Sequence, residues 1–160
     1  KNGSLMLTFC LMGDISALRI PEPRSPRRAD NLWQHTCFEA FVMAAEGPDY
    51  REFNFSPSGE WAIYDFRGYR KARAQESGLE NEHSPAIEVH KTMDRLELAV
   101  EISQDLLPHG RLLRLGLSAV VEDTAGKLSY WALRHPPGKP DFHHPEAFAL
   151  QLDAIKLEKT

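Results

Sequence analysis

The chain has 160 residues, 42% hydrophobic and 26% charged, enough to fill one core but not two ordinary ones. Nineteen basic residues against 23 acidic ones leave a formal charge of −4, which argues against the basic footprint that nucleic-acid binding depends on. No run reaches the roughly 18–20 apolar residues of a membrane-spanning helix. The expectation is one soluble domain over residues 1–160 with neither nucleic acid nor membrane as partner. The sequence opens on Lys1 rather than Met, so an N-terminal segment is missing if the chain has been trimmed. Compartment and oligomeric state stay open.

Residues 5–12 (LMLTFCLM) put Leu5, Leu7, Phe9 and Leu11 on one parity and stop at Gly13, which predicts a buried strand. Cys10 and Cys37 sit in apolar runs outside any CxxC pair, so both are expected to be small buried hydrophobes. Residues 16–30 hold Pro21, Pro23 and Pro26 with Arg19, Arg24, Arg27 and Arg28, a composition that forbids a regular ladder and predicts a long solvated connection. Those arginines lack the Gly-rich strand-to-helix turn of a phosphate site.

Residues 31–66 form the centre of the chain. Residues 36–43 are apolar on both parities, as in a strand covered on both faces, and Glu39 is the one charge among them. Residues 50–56 alternate strictly, with Arg51, Phe53 and Phe55 on one face and Glu52, Asn54 and Ser56 on the other. Pro57 and Gly59 reverse the chain, and residues 61–66 return as a strand. If Glu39, Glu52 and Asn54 share a sheet face, three hydrogen-bonding side chains converge there, which is costly unless they satisfy one another, bond backbone or meet a ligand. A structural network tying strands together is the plainer reading, and a ligand-facing polar patch is the alternative.

Residues 67–85 lose period-two patterning and predict a surface excursion. Residues 86–93 and 95–102 form a hairpin, the second arm directing Leu96, Leu98, Val100 and Ile102 inward. A single helical turn with a Ser103 cap follows over residues 103–107 and bridges the two sheets. Residues 112–121 and 128–133 make a second buried hairpin, residues 134–145 a loop rich in Pro and His, and residues 148–152 a closing strand. Short strands joined by turns, with almost no helical periodicity, predict an all-β antiparallel sandwich.

His135, Asp141, His143 and His144 carry metal-ligand chemistry, but His143 and His144 are adjacent and point apart on an extended chain. A structural loop is the expected outcome. Glu39 and Glu52 on neighbouring strands have the reach of a glycosidase pair, whose carboxyls stand roughly 5–5.5 or 6.5–9.5 Å apart. Nothing independent marks a cleft, and a nucleophile elbow, GxGxxG and HExxH are all missing, so a non-enzyme is expected. Trp33, Trp61 and Trp131, with Tyr64 and Tyr130, either fill core or offer stacking faces, and Trp33 at a loop-to-strand junction suits the rim of a sandwich.

NLWQHTCFEAFV, YREFNFSPSGEWAIYDF, GLSAVVEDTAGKLSYWAL and HHPEAFALQL together resemble the family 9 carbohydrate-binding-module/DOMON-like superfamily, over most of the chain. The nearest flavour is that of bacterial DOMON-like proteins labelled after UDP-N-acetylmuramate dehydrogenase, a label of association rather than activity. The resemblance implies a β-sandwich whose members bind sugars or haem. For a sugar it points to Trp33 and Trp131 as stacking faces and to Glu52, Asn54 and Arg134 as polar partners, and Glu39 of the converging polar face is a further candidate ligand contact. For haem b it would need an axial pair such as Met12 or Met43 with His35 or His135, and no CxxCH attachment site is present. The first expectation is therefore a non-catalytic module binding a carbohydrate or similar ligand without a cofactor. The alternatives are a haem-b redox module and an accessory domain with no small ligand.

Overall fold

The computed structural model describes residues 3–73 and 84–153. The period-two segments become β1 (Ser4–Met12), β2 (Cys37–Ala44), β3 (Tyr50–Phe55), β4 (Trp61–Phe66), β5 (Ala86–Lys91), β6 (Arg95–Ser103), β7 (Leu112–Glu122), β8 (Leu128–Ala132) and β9 (Leu150–Asp153). They build a three-stranded sheet in the order β1-β6-β5 and a six-stranded sheet in the order β4-β3-β2-β7-β8, with β9 also pairing β7. Every strand pair is antiparallel, so the architecture is an all-β sandwich. Among the described residues the helical elements are short 3₁₀ turns, and no helix is long and apolar enough to cross a membrane.

The core lies between the sheets. Leu96, Leu98, Val100 and Ile102 of β6 face Phe38, Ala40 and Val42 of β2, Phe53 and Phe55 of β3, and Leu113 and Leu115 of β7. Each strand contributes alternate residues, because successive side chains leave a strand on opposite faces. The 3₁₀ turn Gln104–Leu106 carries the chain from β6 in one sheet to β7 in the other. Arg51 pins that crossing: its Nη1 donates to the Leu106 carbonyl at 2.6 Å while Nε and Nη2 grip the Asp65 carboxylate. The expected Ser103 side-chain cap is absent, and Gln104 holds the turn instead by exchanging hydrogen bonds with the Gly3 backbone.

The Pro/Arg connection is more tightly held than a solvated loop. Arg28 bridges Trp61 in parallel, and backbone bonds join Arg24 to Ser58, Ala29 to Trp61 and Trp61 to Arg27 along the edge of β4. Its arginines engage carboxylates of the protein itself: Arg27 and Arg24 reach Glu60, Arg19 reaches Glu122 and Arg28 reaches Asp30. Gly59, at φ +90°, makes the Ser56–Glu60 turn that holds this edge.

Other expectations are corrected. Cys37 is buried but Cys10 is exposed, since it shares its parity with Met6 and Met12 on the solvent face of the smaller sheet. Met12, a haem-ligand candidate at the end of the run predicted to be a buried strand, is 82% exposed for the same reason. Of the second hairpin only β7 is buried: β8 is an edge strand that leaves Tyr130 and Trp131 exposed. The closing strand starts at Leu150, because residues 145–147 form a 3₁₀ turn and Phe148 is drawn into an aromatic cluster with Phe41 and Tyr50. Of the surface excursion, residues 74–83 lie outside the described residues; the stretch before them folds back through a Phe66–Ala72 bridge.

Phe38 is 1% exposed and stacks on Phe9 across the two sheets at 5.0 Å. Phe38→Ala is expected to cost about 3–5 kcal/mol in denaturant unfolding, while Met12→Ala stays within about 0.5 kcal/mol of the parent.

Candidate functional site

The outer face of the six-stranded sheet, turned away from the core, carries the polar cluster that is the candidate site. Register sets its side chains in rows across the strands. One row reads Ala62, Asn54, Glu39, Ser118 and Ala132 from β4 to β8. The next reads Tyr64, Glu52, Phe41 and Gly116, and on the other side of the polar row stand Cys37, Val120 and Tyr130. Alanines end this polar row and tyrosines stand in the flanking rows; the row, with Glu52 beside it, is the candidate trough. Glu52 is a diagonal neighbour of Glu39, a relation that separates side chains by about 7–8 Å at the backbone.

The trough is desolvated. Glu39 is 3% exposed, Glu52 6% and Asn54 0%. Ser118 Oγ donates to Glu39 Oε2 at 3.0 Å, and Asn54 Nδ2 donates to Glu52 Oε1 at 3.0 Å. Asn54 Oδ1 has no partner, one of two such buried side-chain atoms among the described residues. Burial pushes the Glu39 carboxyl up to about 8, helped by the nearby Glu52 charge and opposed by the Ser118 bond. Burial likewise raises Glu52 to about 7, against the pull of Asn54 and the Arg70 charge. Acid–base cleavage would require one carboxylate of the pair to be firmly ionised, and burial works against both.

The loop after β8 closes one end. Phe142 packs on Phe41 and Tyr130, and His143 packs edge-on against Phe41 and Phe66, both at 5.0 Å. His143 Nδ1 lies 2.7 Å from Tyr50 Oη, which itself accepts the Arg70 backbone N–H. On its other side the ring sets Nε2 3.6 Å from Glu52 Oε2, beyond hydrogen-bond range. Burial, then the Arg70 charge, pulls the imidazole down to about 4, with Asp141 opposing, so it is neutral at pH 7. Asp141 fixes the loop by accepting from Tyr69, Arg70 and the His143 backbone.

The residues expected at the site thus divide. Glu39, Glu52 and Asn54 share the trough. Trp33, 48% exposed, lies on the 3₁₀ turn Leu32–Gln34, which rests against β2 and β3 just before β2 begins. Trp131 pairs with Ala119, so its register belongs to the opposite face from Glu39; its indole N–H donates to Ser129. Arg134 lies in the exposed stretch just after β8. The four loop residues with metal-ligand chemistry go different ways: His143 to Tyr50, Asp141 to Arg70, His144 to the Glu146 N–H, and His135 beside Phe142. Among the described residues no group of three or more His, Cys, Asp or Glu side chains is placed to hold a metal ion. Of the haem ligand candidates, His35 pairs with Glu122 at 2.7 Å and Met43 is half-buried beside the Phe41 cluster. Sequence reasoning missed Ser118, Tyr50 and Arg70. Ser118 is a polar residue in an otherwise apolar stretch of β7, a signal in the sequence, but only the β2–β7 register sets it opposite Glu39.

No family model matches the chain, and no curated protein does. Among solved structures, a protein from Bacteroides uniformis ATCC 8492, provisionally described as carbohydrate-binding, superposes with a TM-score of 0.66. The match covers 95% of this chain and 73% of that one at 14% sequence identity. At that identity the likeness establishes a shared fold.

The buried acids set a pH dependence. A glutamate raised in the folded state adds stability below its unfolded value of 4.5 and loses it as pH rises through the folded value. His143, lowered from 6.5, acts oppositely: its contribution is present above 6.5 and disappears as pH falls through about 4. Between about pH 6.5 and 8 only the glutamates act, so Tm should fall across that window. Glu39→Gln, which keeps the neutral shape, should flatten the decline in calorimetry; an unchanged slope would show that Glu39 titrates normally.

Proposed function

We propose that the protein is a non-catalytic binding module whose ligand, a carbohydrate or similar polyol, lies along the polar trough on the outer face of the six-stranded sheet. The carrying observation is Asn54, fully buried with its Oδ1 unpartnered between two carboxyls that no arginine or lysine of the described residues pairs. An orphaned buried acceptor is costly in a purely structural network, and a ligand hydroxyl would satisfy it. Tyr64 and Tyr130 supply apolar ring surface in the flanking rows, and Trp33 at the margin is a further stacking candidate. Two independent likenesses lean the same way: the resemblance to the carbohydrate-binding/DOMON-like superfamily, and the fold shared with a protein described as carbohydrate-binding. The DOMON-like assignment itself is part of this proposal.

Calorimetric titration with mono- and oligosaccharides, amino sugars included, tests the reading. A saturable heat is expected, weakened at least about tenfold by Asn54→Ala, as removing a buried polar partner costs about 1–3 kcal/mol. Trp131→Ala, on the other face, should leave affinity unchanged, while Trp33→Ala reports whether that ring stacks on the ligand. Absence of saturable binding across the panel would refute the proposal and favour an accessory domain.

A further inference from the structure

Resting on that reading, we infer that the ligand presents a protonated amino group to the trough, so that the module prefers an amino sugar to a neutral one. The argument is an inventory of donors and acceptors. Once both carboxyls are ionised the trough offers five acceptor atoms, four carboxylate oxygens of Glu39 and Glu52 and the Asn54 carbonyl, and only two side-chain bonds fill them, from Ser118 and Asn54 Nδ2. An ammonium group carries three N–H donors and one positive charge, and so matches both the surplus of acceptors and the missing counter-charge. Neutral hydroxyls supply a donor each but no charge. Two carboxyls held on one desolvated face can ionise together only if a cation joins them.

The charged and titratable groups around Glu39 do not provide that cation. On β2 its same-face neighbours are Cys37 and Phe41; on β3 they are Asn54 and Glu52; on β7, Ser118; Tyr130 lies on β8, and one strand further out on β4 stands Tyr64, over whose ring lies Arg28, itself paired with Asp30. From the covering loop, His143 faces Glu52 as a neutral ring, and Asp141 occupies the Arg70 guanidinium. Burial keeps both carboxyls largely protonated below neutrality. Docking an ammonium would ionise them, sending up to one proton per carboxyl to the buffer while the ligand keeps its own. Affinity for an amine should therefore rise from pH 5 to pH 7, as the carboxyls become easier to ionise.

The test is calorimetry of the chain with glucosamine, N-acetylglucosamine and glucose at pH 6.5, each in two buffers of different ionisation enthalpy. Glucosamine is expected to bind at least about tenfold more tightly than the other two and to release protons, the gap a charge-assisted pair supports. Glu39→Gln should bring glucosamine down to the level of the neutral sugars and reduce the proton release. Equal binding of all three with no proton release overturns the inference while leaving the carbohydrate reading intact. Binding of methylamine with proton release, and of no sugar, upholds the ammonium site and sinks the carbohydrate reading. Calcium that binds alone and blocks glucosamine would make the trough a metal-ion site and overturn the inference. Silence from every probe removes both proposals. The wild-type proton release decides the matter even if the Glu39 variant fails to fold.

Discussion

The pairing of β2 between β3 and β7 is the constraint on which the rest depends. β2 is the central strand of the larger sheet, and both its faces are covered. Its alternation sends Phe38, Ala40 and Val42 into the core and turns Cys37, Glu39, Phe41 and Met43 the other way. A one-residue slip would drive Glu39 among the core phenylalanines and expel Phe38, so burial of the whole face locks the register. The carboxylate on the outer face is therefore a consequence of how the core is filled.

Given that register, the trough follows from what lies opposite. Asn54 and Ser118 flank Glu39 because β3 and β7 must each present their own apolar parity to the core, and both leave a polar residue at the matching outer position. The covering loop then raises the energetic stakes. Gly116 admits it: a side chain there would meet the Ala147 carbonyl at 3.0 Å. Phe142, His143 and Phe148 settle against Phe41, and the Asp141–Arg70 pair holds the loop down. Burial lifts the carboxyls of both Glu39 and Glu52.

Most strands, their parities and the core residues could be read from the chain, as β3 and β6 show by strict alternation. The misreadings share a cause. Cys10 and Met12 lie in an apolar run, yet the outer parity of β1 is exposed among the described residues. LSYWAL looked like a core strand, but β8 is an edge strand and keeps its aromatics exposed. Composition reports how apolar a segment is; it does not report what lies across from each face.

By itself the sequence determined the all-β class, the strand and turn succession and the parity of each strand, because these follow from backbone alternation and local turn chemistry. The partnership of β2 with β7, more than seventy residues along the chain, was a tertiary decision. So were the meeting of Glu39 with Ser118, the descent of His143 onto Tyr50 beside Glu52 and the separation of Trp131 from the trough. The physical reason is that alternation assigns a residue to a face at no reference to any partner, whereas neighbours on that face are chosen by burying both sheets' apolar surfaces at once.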